Sequence, residues 1–553
     1  MRGSKMSSFR ANSSIRGILK VLLCVFLAAA LCVTSGCQLP SKDNLAALFS
    51  DAEKTESRDQ TEDTEPDETE EEKSEPDETE PEETEPEETE PGETGNGTDG
   101  NDKTGGDQRA VYTMDLTLDT DAHSIGGSVT VDVFNYSDDE WDSLCFRDYP
   151  SLFTADNDYD LTVDGKISDI SSIKDEDNDR DLKMERSTED VSVVFIGMED
   201  AIKPGETRRI SFDFVSYVPL LQDRFGYTDD MYNLSNFYPV LAVYEEGDWV
   251  AHPYFVNGEC FYSLVSDYFV TFHTPSVMTV ACSGEETMAE EGTWSVEALS
   301  VRDISAVIGE DLKVVTDEVD GVKVNCYYTE DKRWAEIAVK AGVTAIEAFD
   351  EAFGPYPYPE IDIIQTYLFA GGMEYPSIVL IYKGFEASKD PDATLSSVVA
   401  HEIAHQWFYS LVGDDQYDEA WLDESFASYA EYVYMETYLD EDNVESRVDE
   451  EQYWMGGDDF VNPQSSLQLN RPYDDFEDDY SYVDTAYYCG KVFLYRLREA
   501  MGKEDFTAMM KAYVKEFSHE VATTEDFVEY VRTYAGDNEE VDELLQIFLP
   551  GVE

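Results

Sequence analysis

The chain has 553 residues and a formal net charge of −84, from 122 acidic against 38 basic side chains. Of this, −22 falls on residues 51–108 and −67 on residues 109–553, so the body is itself strongly acidic, which disfavours nucleic acid and anionic membrane surfaces as partners. Five of the eight cysteines (Cys145, Cys260, Cys282, Cys326 and Cys489) follow Cys37 at wide, irregular intervals, which fits neither a disulfide framework nor a cysteine-metal site.

Residues 1–36 read as a signal peptide. Arg2, Lys5, Arg10, Arg16 and Lys20 precede an apolar run from Val21 to Val33 that is too short for a comfortable membrane span. Thr34-Ser35-Gly36-Cys37 sets a cysteine behind small residues and resembles a bacterial lipoprotein box. Cys37 is therefore expected to carry lipid and to hold the chain on the outer face of a bacterial membrane of the Gram-positive kind. Residues 37–108 read as a disordered linker. From Asp51 to Gln108 there is no aromatic residue, and a Glu-Thr-Glu-Pro-Glu repeat recurs around Pro76, Pro81, Pro86 and Pro91, so the segment cannot bury a core. At about 3.1 Å per residue, those 58 residues reach on the order of 180 Å, enough to pass through a cell wall.

Residues 109–311 read as an all-β, sandwich-like domain. Val111–Leu118 and Ser128–Phe134 alternate apolar and polar residues, Tyr268–Phe272 is a further strand, and about 200 residues suffice for a separate core. Residues 312–553 read as an α+β domain. Val322–Tyr328, Asp362–Thr366 and Ser377–Tyr382 are strands, and a helix over Arg333–Phe353 stops at Gly354-Pro355. Leu395–Gly413 and Glu419–Leu439 are helical, as is the remainder of the chain, including Thr485–Met501.

The chemistry concentrates in His401-Glu402-Ile403-Ala404-His405. Residues four apart share a helix face, so His401 and His405 offer two imidazoles to one ion, and Glu402 is within reach of a water on it. A lone histidine on an apolar helix face is ordinarily a packing or surface residue. This chain has only six histidines, and two of them bracket a glutamate at metal-binding spacing. Eighteen residues later Glu424, among Trp421, Leu422, Phe426 and Ala427, supplies a third ligand and leaves a position open.

These residues resemble the M1 zinc aminopeptidases. The family's His-Glu-x-x-His with a glutamate after eighteen residues is matched by His401, Glu402, His405 and Glu424. Its Gly-x-Met-Glu-Asn is matched by Gly371, Gly372, Met373 and Glu374, with Tyr375 replacing Asn. Its Trp-Leu-Asn-Glu-Gly-Phe-Ala is matched with Asp423 and Ser425 as replacements. The resemblance implies an N-terminal β domain packed on a thermolysin-like α+β catalytic domain, without the large helical C-terminal domain of longer members. It also implies one Zn2+ per chain, Glu402 as general base and Glu374 as acceptor of a free α-ammonium. The family's oxyanion donor lies in Tyr-x-Lys-Gly, which Tyr487-Tyr488-Cys489-Gly490 matches at its first and last positions. Tyr487 is the reading and Tyr488 the alternative register. The expected substrates are peptides with a free N-terminus. A thermolysin-like endopeptidase, and a noncatalytic surface-binding protein with a structural zinc, are the competing readings. The sequence does not fix the oligomeric state.

Overall fold

The structure is a computed structural model and describes residues 109–153, 168–228, 231–255, 258–385, 388–456, 460 and 467–552. The signal segment, Cys37 and the acidic linker lie outside the described residues.

The β domain is built on an eight-stranded sheet in which Ala110–Asp119 pairs in parallel with Ser266–His273 and antiparallel with Ser124–Phe134. Strict alternation puts Tyr112, Met114, Leu116 and Leu118 inside and their neighbours outside, as the sequence pattern predicts. Two four-stranded sheets accompany it. Phe146, from one of them, meets Phe212 of the large sheet edge-on at 5.6 Å between ring centroids. The five later cysteines are all buried thiols.

The α+β domain is organised on a five-stranded sheet in the order Lys313–Val319, Val322–Tyr328, Glu360–Thr366, Ile378–Tyr382, Gly372–Tyr375. Gly372–Tyr375 is an edge strand, antiparallel to Ile378–Tyr382. Helix α1 (Lys332–Phe353) is capped by Asp331, whose carboxylate accepts from the Trp334 amide, and ends at Gly354 with φ 110°. A Cβ added at Gly342 would lie 3.0–3.3 Å from Ile363, Val324 and Ile403. α1 thus rests hard on both the sheet and α2 (Pro391–Ala404), which starts with Asp390 as cap and Pro391 in its first turn. α3 (Trp421–Met435) is buried on nearly every face. α4 (Glu441–Trp454), α5 (Asp479–Val483), a π-helical turn (Asp484–Cys489) and α6 (Gly490–Met501) follow, and three more helices run to Phe548.

α2 is shorter than its sequence pattern. The apolar periodicity runs to Gly413, yet the helix stops at Ala404 and residues 405–413 fold into tight turns. Tertiary bonds displace the helical ones. Arg302 of the β domain, fully buried, donates to the carbonyls of Tyr409 (2.6 Å) and Glu520 (2.6 Å). Gln406 accepts from the Ser377 amide (2.7 Å) and donates to the Tyr375 carbonyl (3.0 Å). Met231, Ala281 and Val307 of the β domain share an apolar cluster with Ile364, Tyr375 and Leu380, so the two domains bury one continuous surface.

Candidate metal and catalytic site

α2 and α3 meet so that three ligand atoms converge. His401 Nε2 and His405 Nε2 are 3.3 Å apart, and Glu424 Oε2 lies 3.4 Å from the first and 3.7 Å from the second. Ligands at about 2.0–2.1 Å from a tetrahedral ion stand about 3.4 Å apart, which is this spacing. The opposite ring nitrogens are committed elsewhere: His401 Nδ1 faces Glu431 Oε1 at 3.1 Å, and His405 Nδ1 bonds the Asp423 carboxylate. Each Nε2 is thereby aimed at the common point, the carboxylate–histidine arrangement of metal sites. Glu424 Oε2 is buried with no hydrogen-bond partner among the described residues, an orphan that a cation satisfies. Two imidazoles and a carboxylate with a position left over suit zinc. The residues fit the ion.

Around this centre lies a cleft of about 140 Å³ whose walls include Glu402, Glu374, Glu259, Val398, Tyr487 and Tyr488. Burial pushes the Glu402 carboxyl up to about 7, offset in part by the two histidines, which suits a base working near neutrality. Glu402 folds over the edge strand where Gly372 leaves room: a Cβ there would stand 2.2 Å from Glu402 Oε1. Glu374, from the same strand, is 6% exposed. Burial, and then the charges of Glu259 and Glu402, hold it well above the usual carboxylate range.

Tyr487 and Tyr488 separate clearly. The π-helical turn carries the Tyr487 hydroxyl to Glu424 Oε1 at 2.5 Å and lays its ring parallel to His401, centroids 6.0 Å apart. Burial and the Glu424 carboxylate hold its phenol well above its ordinary value, so it keeps a proton to donate. Tyr488 sits instead beside Lys491, whose ammonium lies 4.9 Å from its ring centroid. The structure thus brings His401, His405, Glu424, Glu402, Glu374 and Tyr487 to one cleft, with Gly371, Gly372 and Met373 in its wall.

Several side chains that line the cleft escaped the sequence reading. Glu431 lies seven residues after Glu424 on the same face of α3, a spacing that is visible in the sequence. Lys491, two residues beyond the Lys of the expected motif, is buried and pairs with Glu431 (3.4 Å) and Glu451 (2.9 Å). Glu259 comes from an irregular stretch of the β domain, where no periodicity marks it. One of its oxygens accepts from Arg224 at 2.9 Å, and the other is buried without a partner among the described residues.

The fold and the site are similar to those of zinc metallopeptidases of the His-Glu-x-x-His class. Residues 337–548 match the peptidase family M1 domain. Aminopeptidase M1-A of Oryza sativa subsp. japonica is 26% identical over 274 residues, covering 46% of this chain and 31% of its own length. Endoplasmic reticulum aminopeptidase 1 of Mus musculus is 29% identical over 236 residues, covering 40% of this chain and 25% of its own. The chain therefore spans between a quarter and a third of these curated relatives. A solved M1 zinc metallopeptidase from Deinococcus radiodurans shares the fold over 81% of this chain and 95% of its own, at TM-score 0.59 and 18% identity. A variant of that enzyme was solved bound to a Tyr-Ser-Ala substrate.

Proposed function

We propose that the protein is a zinc-dependent aminopeptidase that removes the N-terminal residue of extracellular peptides while tethered through Cys37 to the outer face of a bacterial membrane. The observation that carries the catalytic part is that Glu374 and Glu259 both line the cleft beside Glu402. Burial first, and then the charges of Glu259 and Glu402, raise the cost of ionising Glu374, and Arg224 is already bound to Glu259. An α-ammonium group supplies the missing positive charge through charge-assisted hydrogen bonds, and an internal peptide bond has no such group. The peptide-bound relative and the aminopeptidase relatives support the same reading. The tether rests on the lipoprotein-like segment and the acidic linker.

Zinc, when bound, supplies a Lewis acid that acidifies water and polarises the scissile carbonyl. Glu402 takes the proton from the attacking water and delivers it to the leaving amine. Tyr487 donates its hydroxyl to the oxyanion of the tetrahedral intermediate. Glu374 and Glu259 hold the ammonium, which fixes the first peptide bond, and no other, in reach of Glu402.

Steady-state kinetics on free and N-acetylated aminoacyl substrates tests this. Glu374→Ala should lose roughly 2–5 kcal/mol of transition-state binding toward free-amine substrates. Acetylation should cost the wild type a similar amount, and the two losses should not add, because each removes one interaction. Rapid internal cleavage of N-blocked peptides would instead make the enzyme an endopeptidase.

A further inference from the structure

A second carboxylate group lies away from the cleft, where the strand Glu285–Glu290 of the β domain meets the catalytic sheet. Glu360 and Asp362, two apart on one strand, share a face of that sheet. The parallel register sets Lys323 beside Glu360 and Asn325 beside Asp362. Glu286 joins them from the β domain, and one oxygen of each of the three lies within 4.8 Å of the others.

The available donors are already engaged. Asn325 Nδ2 donates to Asp362 Oδ1 (3.0 Å), the Tyr327 hydroxyl to Glu286 Oε1 (2.8 Å) and Lys323 Nζ to Glu360 Oε2 (2.5 Å). Thr316 Oγ1 occupies Asn325 Oδ1 (2.8 Å). Asp362 Oδ2 and Glu286 Oε2 remain, both buried and both without a partner among the described residues, and Asp362 is 0% exposed. Against three carboxylates the contacting cation is Lys323, whose side chain is 55% exposed and sits at the outer end beside Glu360. Two buried, unpartnered carboxylate oxygens within one such cluster at a domain boundary are costly unless a cation or protons neutralise them.

We propose that Glu286, Glu360 and Asp362 form a structural calcium site that staples the β domain to the catalytic sheet. The donors are all oxygen, with no imidazole or thiolate, which selects a hard cation over zinc. Oxygens bound at about 2.3–2.6 Å to one Ca2+ lie at most about 4.6–5.2 Å apart, a span that contains this group. Magnesium demands a near-ideal octahedron and keeps several waters, which a covered, irregular site does not offer. Burial, with the neighbouring carboxylates, pushes Glu286 up to about 7 and Asp362 well above its ordinary range, the mark of charge that the protein alone leaves uncompensated.

The test uses the full chain, stripped on a chelating resin and reloaded with one equivalent of zinc. Millimolar CaCl2 should raise the thermal midpoint by roughly 4–8 °C, as expected for a ligand well above its dissociation constant. Tb3+ should bind with one-to-one stoichiometry and luminesce through excitation of Tyr327. Both responses should vanish in Glu286→Gln and in Asp362→Asn while zinc content stays at one. Should Asp362→Asn fail to fold, Glu286→Gln, on a partly exposed strand, carries the test alone. No calcium shift and no Tb3+ signal in the wild type would overturn the proposal, as would responses that survive in Glu286→Gln. A Glu286→Gln protein that is more stable than the metal-free wild type, in a background where calcium does nothing, would show that protons, not a cation, neutralise the cluster.

Discussion

Gly490→Ala should damage the active site from behind. α3 and α6 touch where Ser425 faces Gly490, and a Cβ at 490 would stand 1.7 Å from Ser425 Oγ, 2.4 Å from its Cβ and 3.2 Å from its Cα. Carbon contacts are comfortable at about 3.5–4.0 Å, and the nearest backbone atom is itself too close, so a rotamer change alone does not relieve the clash. Ser425 Oγ also donates to the Ala486 carbonyl at 2.6 Å, on the π-helical turn that aims Tyr487. Overpacking costs about 1–3 kcal/mol, and orphaning the Ala486 carbonyl about 1–3 more, against a gain of about 1 kcal/mol from replacing a helical glycine. The net loss of about 1–5 kcal/mol should lower the melting midpoint by roughly 2–20 °C. A shift of about 1 Å in Tyr487 should lower kcat by about 10²-fold with zinc retained. Ser425→Gly removes the two nearest atoms, so the double variant should recover stability and activity relative to Gly490→Ala, even though the new glycine costs about 1 kcal/mol in α3. Calorimetry, zinc analysis and kcat on an aminoacyl anilide decide it. A Gly490→Ala enzyme within twofold of wild type, or one that Ser425→Gly does not improve, refutes the argument.

The site was legible in the sequence to the extent that local periodicity carried it. His401, Glu402 and His405 follow from one turn of helix, and Glu424 from its apolar flanks on the next, because ligand geometry there is helix geometry. What tertiary contacts decide was not legible. The end of α2 at Ala404 depends on Arg302 of the β domain capturing the Tyr409 carbonyl, and no local pattern near residue 404 announces that bond. Adjacent tyrosines in an ordinary helix point about 100° apart, so choosing between Tyr487 and Tyr488 needs the phase of the helix. The π-helical turn resets that phase. Glu259 reaches the cleft from an irregular stretch of the other domain, and only the packing of the two domains brings it there. The β domain was readable because one solvated face leaves a clean alternation, as in Ala110–Asp119.

Two further outcomes test the surroundings of the site. Glu431→Gln weakens the acceptor that orients His401, so zinc affinity in chelator competition should fall by about 10–100-fold, and unchanged affinity would remove Glu431 from the site's support. Asp303→Asn should reveal a buried acid through its pH dependence. Burial raises Asp303 from an ordinary 3.8 to about 7, against hydrogen bonds from Tyr409 and Asn236. Between those values the unfolded chain has lost the proton that the folded chain still holds, so wild-type stability falls as pH rises from about 4 to about 7, at about 1.4 kcal/mol for each pH unit. Asparagine stays neutral throughout and shows no such fall. The stability of Asp303→Asn relative to wild type should therefore improve by about 3–4 kcal/mol between pH 4.5 and pH 7.5, read from urea midpoints of the two proteins. Both proteins carry the same zinc ligands, so the titration of those ligands cancels in the difference. A difference that does not move with pH would mean that Asp303 is ionised in the folded protein and is compensated by its neighbours, Arg302 above all.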